Sequence, residues 1–224
     1  MEYTIFTDTL KELRDVKRQT DSILVAFSGG KDSLVCLDLC MQTFKHVQPF
    51  FLYLVPGLQC IQVQLDKAQQ RYGIEVLQYP HWLLFHCLKH HVFCSSYYKD
   101  SFDIGELKIN DIHAAIIHDT GIPLIVQGAK ESDSMWRRRY FVINKFDRVI
   151  YPLKKWHKRD VLSYLKINNI PMPDSEGKNA NGIDLTAPAV LYLHDKYPDD
   201  YQKVLQLFPF AEAIVKRRDW YGVQ

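Results

Sequence analysis

The sequence predicts an α/β protein, a doubly wound and mostly parallel Rossmann-like sheet with a helical C-terminal extension. Three observations lead there. Short apolar runs alternate with helix-period segments through much of the chain, the pattern of strands covered on both faces by helices. Two of those runs end in glycine-containing turns, at Ser28-Gly29-Gly30 and at Gly128. Beyond residue 185 the pattern is helical and strand runs are absent.

Taken in order, residues 8–20 read as a polar amphipathic helix and Ser22 to Phe27 as a buried strand. A helix rich in apolar positions follows, carrying Leu34, Val35, Leu37, Leu39 and Met41. Phe50 to Val55 reads as the second strand, closed by Pro56-Gly57, then Ile61 to Tyr72 as a helix and Ile74 to Tyr79 as the third strand. The aromatic stretch 81–94 and the segment Ile109 to Thr120 read as helices, the latter ended by Gly121. Pro123 to Gln127 and Val149 to Leu153 read as strands, and His157 to Asn168 as a helix. A loop spans 171–184, and 185–218 holds two or three helices. The expected division is a nucleotide-binding α/β domain over 1–170, with the loop and helical extension of 171–224 packed on it.

Composition narrows the function classes. The 224 residues are 47% hydrophobic and 24% charged, ordinary globular usage that argues against a disordered chain. A net charge of +2 singles out no partner class. The start of the chain is charged, so no signal peptide is expected, and no apolar run reaches the roughly 18 residues of a membrane span. A soluble, cytoplasmic protein without membrane contact is the expectation. Cys36, Cys40, Cys60, Cys87 and Cys94 form no CxxC pair, so they read as scattered buried thiols, with neither structural zinc nor an iron–sulfur cluster expected. His86 and His90 are four apart and can share a helical face, but no glutamate stands between them, and a packing or surface role is expected of the His86, His90 and His91 segment.

Ser28-Gly29-Gly30-Lys31-Asp32-Ser33, between a strand and a helix, is the strongest chemical signal. The glycines permit a tight turn and close approach of backbone to a ligand. Successive N–H groups there form an anion-binding nest, and the helix N-terminus adds donors and a favourable dipole. Ser28 and Ser33 supply hydroxyls and Lys31 a charge. Asp32 can cap the helix. The spacing fits neither the Walker loop nor the dinucleotide-binding glycine fingerprint.

The six-residue string resembles the SGGxDS loop of the PP-loop ATP pyrophosphatases, adenine nucleotide alpha hydrolase-like proteins that split ATP between its α and β phosphates. Two further stretches resemble the phosphoadenosine phosphosulfate (PAPS) reductase branch. Gly128, Lys130, Asp133, Ser134 and Arg137 match its G-x-R-x-x-[ED]-S-x-x-R segment, with Lys130 in place of an arginine. Pro152-Leu153, Trp156, Asp160-Val161 and Tyr164-Leu165 match a later stretch, in which Trp156 reads as core and Asp160 as a helix-start carboxylate. Arg137-Arg138-Arg139 alone also suits a solvated basic face or a nucleic-acid patch.

The match departs from the reductases at three places. The late catalytic cysteine is missing, since the last cysteine is Cys94; the iron–sulfur cysteine pairs are missing; and Val55-Pro56-Gly57 replaces an Asp-Thr-Gly. What the resemblance implies is therefore an enzyme that binds ATP with Mg²⁺ and adenylates an unknown acceptor, releasing pyrophosphate. Asp32, Lys130 and Arg137 are its candidate catalytic residues. Ser28, Gly29, Gly30, Lys31, Asp32, Ser33, Gly128, Asp133 and Ser134 are candidates for binding the nucleotide, and Asp32 for the metal. The alternatives are a PAPS or APS reductase-like enzyme using a thiol from elsewhere, and a non-catalytic nucleotide-binding or interaction subunit. A homo-oligomer or a partner protein supplying the nucleophile remains open.

Overall fold

Five strands form a parallel sheet in the order β3-β2-β1-β4-β5. The computed structural model describes residues 3–94, 105–143, 148–171 and 184–222. The strands are β1 (Ser22–Ala26), β2 (His46–Tyr53), β3 (Leu77–Pro80), β4 (Ile125–Val126) and β5 (Val149–Ile150). The helices of the first half are α1 (Tyr3–Lys17), α2 (Lys31–Thr43), α3 (Gln59–Tyr72), α4 (Trp82–Lys89) and α5 (Ile109–Thr120). Those of the second half are α6 (Met135–Ile143), α7 (Lys158–Ile167), α8 (Ala187–Lys196), α9 (Pro198–Leu207) and α10 (Glu212–Tyr221).

β1 is central because Ile23, Leu24 and Val25 are fully buried, leaving no solvent face. It pairs in parallel with β2 on one side and β4 on the other, with Val25 opposite both Pro49 and Val126. Strand order reverses between β1 and β4. Crevices at such a switch point, outside the carboxyl ends of the strands, are where open α/β sheets bind ligands.

The residues form two units. The first comprises Met1–Phe51, Ala68–Leu77 and Ile117–Asp174, and the second Leu52–Lys67, Gln78–Ile116 and Ser175–Gln224. In the first, α2 packs against α1 and α7. Its buried Asp38 joins these layers: Oδ2 accepts from the Tyr164 hydroxyl at 2.7 Å and from Gln42 at 2.7 Å, and Oδ1 accepts from the Tyr72 hydroxyl at 2.9 Å. Every one of those donors lets the carboxylate stay buried without an unmet acceptor. Trp156 is fully buried and donates its indole N–H to Thr9 Oγ1 at 2.9 Å, so it is core, as expected. In the second unit α8 packs on α9 and α10 over Val190, Leu193, Val204 and Val215. Asp200 of α9 accepts hydrogen bonds from the Gln59 and Cys60 backbone N–H groups at 2.8 Å each, which satisfies the first turn of α3.

Several boundaries differ from the sequence expectation. α1 begins at Tyr3 rather than at residue 8. β2 begins at His46 rather than Phe50, its pairing with β1 running from His46 opposite Ser22 through Pro49 opposite Val25. β4 and β5 are two residues each. The expected end of β5, around Leu153, instead turns: Lys154 N–H bonds the Tyr151 carbonyl at 3.0 Å and Trp156 N–H the Leu153 carbonyl at 2.9 Å. The 81–94 helix stops at Lys89, and His91 and Phe93 take positive φ values of 53° and 57°. α6 has no counterpart in the sequence reading. The C-terminal expectation of two or three helices is met by three, whereas most of the expected 171–184 loop, residues 172–183, lies outside the described residues.

Candidate functional site

The chain leaves β1 through buried Phe27, whose N–H bonds the Phe50 carbonyl at 2.8 Å, and enters the Ser28-Gly29-Gly30 turn. Gly29 sits at φ 74°, a conformation that L side chains rarely take, so a Cβ there would strain the turn. Gly30 is the N-cap of α2 and has no side-chain cap. Ser33 Oγ donates to the Gly30 carbonyl at 2.8 Å and Ser28 Oγ donates to Ser33 Oγ at 3.3 Å, so the two hydroxyls are coupled across the loop. The helix dipole and the first-turn N–H groups face the same end as this loop.

The second glycine turn packs directly on the first. A Cβ built at Gly128 would lie 3.0 Å from the Asp32 carbonyl carbon, 3.1 Å from its oxygen and 3.3 Å from its Cβ. Only glycine lets the segment after β4 approach the first turn of α2 this closely.

That approach brings together residues about a hundred positions apart. Lys130 is 2% exposed, and its ammonium lies 2.7 Å from Asp32 Oδ1 and 2.9 Å from Asp133 Oδ1. Asp133 Oδ2 also accepts the Lys130 backbone N–H at 2.9 Å. The contact to Asp32 Oδ1 is ionic, since no hydrogen bond among the described residues reaches that oxygen. Lys31 Nζ stands 3.2 Å from the other oxygen, Oδ2. Asp32 is thus held between two ammonium groups rather than turned back to cap its own helix.

A cleft of about 650 Å³ opens beside this cluster, lined by Lys31, Lys130, Ser132, Asp133, His157 and the first α7 residues Lys158 and Arg159. Four permanent cations and one carboxylate line it, and α7 brings its N-terminal end to the same wall. Asp160 fixes that end. It is 2% exposed and accepts the His157 N–H at 2.9 Å, the structural role expected of it. Ser132 is tied to the Trp156 carbonyl at 2.9 Å.

Of the sequence candidates, Lys31, Lys130 and Asp133 line the cleft, and Asp32 is paired to two of them. Arg137 is not among the cleft-lining residues: its guanidinium lies over the exposed Trp136 ring at 5.7 Å, and its N–H bonds Ser134 Oγ at 3.0 Å. His157, Lys158 and Arg159 were not singled out from sequence, although the basic run Lys154-Lys155 to Lys158-Arg159 was visible within the later matching stretch.

No cysteine is poised as a nucleophile. All five are free thiols and all are buried. Burial pushes the Cys60 thiol up to about 12, with Asp200 beside it raising it further. Burial likewise raises Cys94 and Cys87, and drives Cys36 and Cys40 well above the ordinary thiol range. Among the described residues no helix is long and apolar enough to cross a membrane.

Comparison with solved structures gives the fold its neighbours, and a family model gives the sequence its family. The U34-tRNA thiolase NcsA from Methanococcus maripaludis, with its 4Fe–4S cluster, superposes with a TM-score of 0.52 at 12% identity, covering 98% of this chain and 81% of that one. The ammonia-dependent NAD synthetase from Campylobacter jejuni, in complex with nitrate, gives 0.50 at 10% identity over 99% and 96%. The PAPS reductase from Candida auris, a phosphate complex, gives 0.48 at 19% identity over 74% and 82%. A sequence search of curated proteins returned no match. The family model of the phosphoadenosine phosphosulfate reductase domain matches residues 22–174, the stretch that contains the loop after β1, the Gly128 turn and the start of α7, and the chain belongs to that PP-loop family.

Proposed function

We propose that the chain is a PP-loop enzyme that binds ATP and transfers its adenylyl group to an acceptor, releasing pyrophosphate. The observation that carries this reading is the cleft in which Lys31, Lys130, Lys158 and Arg159 converge beside the glycine turn and two helix N-termini. A polyphosphate needs several such donors and charges at once, and a displaced pyrophosphate gains most from them as its charge develops. The acceptor oxygen attacks the α-phosphorus, the bond from that phosphorus to the bridging oxygen breaks, and its electron pair leaves on pyrophosphate.

In this scheme Ser28, Gly29, Gly30 and Ser33 cradle the phosphates, with Gly128 and Ser134 shaping the turn and segment that bring Lys130 in. Lys130 supplies charge at the reacting end, and Asp32 and Asp133 hold it there. Arg137 reaches substrate only by leaving its place over Trp136. Mg²⁺ would screen the phosphates when bound with the nucleotide. Asp32 does not fit it as a ligand, because one oxygen already has Lys130 at 2.7 Å and the other Lys31 at 3.2 Å, so no step runs through the metal.

A second reading is favoured by the family itself: reduction of PAPS or APS with a thiol supplied by another molecule. The buried cysteines argue that such a thiol would not be the chain's own. Pyrophosphate release from ATP, measured against candidate carboxylate and nucleoside hydroxyl acceptors, tests the first reading. Sulfite release from PAPS with an added dithiol protein tests the second. ATP binding without either product would leave a nucleotide-binding subunit.

A further inference from the structure

We propose a second site, a binding site for a divalent transition-metal ion of the zinc class, formed by His86, His90 and Glu106. One ligand atom from each of these three side chains lies within 4.8 Å of the other two. The sequence reading paired the histidines and found no carboxylate for them. The fold brings one from the segment before α5.

The arrangement has the chemistry of a metal site. His86 is in the last turn of α4, and His90 is its C-cap, held by its N–H to the His86 carbonyl at 3.0 Å. Their rings are 4.4 Å apart between centroids and tilted by 46°, which places two imidazoles side by side at one end of the helix. Trp82 packs edge-on against His86 at 6.1 Å and limits where that ring can swing. The C-terminal end of a helix carries partial negative charge and favours a cation. Two imidazoles and a carboxylate suit zinc and its neighbours over calcium or magnesium. Three protein donors leave the fourth corner of a tetrahedral ion for water or an external ligand. His86 is half-buried and His90 and Glu106 are exposed, so an ion can enter with little rearrangement.

Lys89 supplies a discriminating test. Its ammonium lies 3.7 Å from Glu106, so it competes with a metal for that carboxylate. The experiment uses the full chain without a polyhistidine tag. Co²⁺ is titrated in and followed by its visible ligand-field bands, and Zn²⁺ by calorimetry. Wild type and the control His118→Ala should each bind one equivalent with a tetrahedral Co²⁺ spectrum. His90→Ala and Glu106→Gln, both exposed positions, should weaken binding about tenfold or more. Lys89→Met should tighten it. Absence of saturable binding, affinity unchanged in His90→Ala and Glu106→Gln, or loss in His118→Ala would overturn the assignment. Circular dichroism confirms that each variant is folded, and the result is independent of whether the chain binds a nucleotide.

Discussion

The buried ammonium of Lys130 lies 2.7 Å from Asp32 Oδ1, joining the turn after β4 to the first turn of α2. Removing it leaves Asp32 and Asp133 facing each other without their shared counter-charge. Breaking a fully buried pair is worth about 3–5 kcal/mol, and the partial exposure of both carboxylates brings Lys130→Met nearer to about 2 kcal/mol of lost stability. Urea unfolding measures it. Asp32→Asn should recover part of the loss in the double variant, a coupling of about 1 kcal/mol or more.

Gly128→Ala tests the close approach separately from charge. The new methyl must push against backbone atoms of Asp32 at 3.0 and 3.1 Å, which cannot swing aside as a side chain would. The expected effect is a destabilisation of about 1–3 kcal/mol together with at least tenfold weaker ATP binding. Unchanged stability and affinity would show that the two turns need not touch.

The thiols should be inert in the folded protein. Burial raises all five, Cys60 to about 12, so a thiol reagent at neutral pH meets little thiolate. Slow labelling in buffer and rapid labelling of all five in denaturant is the expected result. One fast-reacting cysteine would revive a reductase that uses its own nucleophile.

Asp200 sets a pH dependence in the second unit. Burial alone would raise its carboxyl, but hydrogen bonds from the Cys60 and Gln59 backbone, the Cys60 thiol and Lys203 outweigh that and hold it below the usual range. The folded protein therefore binds this proton less tightly than the unfolded chain. Its contribution to stability is fully present above the unfolded value of about 3.9, and is lost as pH falls through the lower folded value. Asp200→Asn should cost about 1–2 kcal/mol at neutral pH, by weakening the α3 N-terminus, and should flatten the stability profile below about pH 4.

What could be seen in the sequence was local. β1 with its glycine turn and α2 were legible because an apolar run, two glycines and a helix pattern follow one another without a break. α5 was legible from Ile109 to Thr120 because Gly121 stops it. α6 was not, because Met135, Trp136, Val142 and Ile143 are exposed and Phe141 is the one residue it buries, so no buried stripe marks it. The motif positions of Lys130 and Asp133 were visible, but their pairing to Asp32 was not. That pairing depends on β1 and β4 being neighbours, which the sequence states nowhere locally. The same holds for Lys158 and Arg159, which join the cleft only because α7 starts beside it, and for Glu106, which meets His86 and His90 through chain folding.

The central claim is that the glycine turn and its basic cleft hold an adenine nucleotide. Thermal unfolding with ATP–Mg²⁺, PAPS, APS and GTP, on wild type and on Ser28→Ala/Arg159→Ala, tests it most directly. Ligand at about 100 times its Kd adds about 2.7 kcal/mol. For a chain of this length that raises Tm by about 5–10 °C. The account predicts such a shift for ATP, absent for GTP and reduced in the variant. A shift with PAPS and none with ATP would move the assignment to the reductase reading. No shift with any nucleotide would contradict the account.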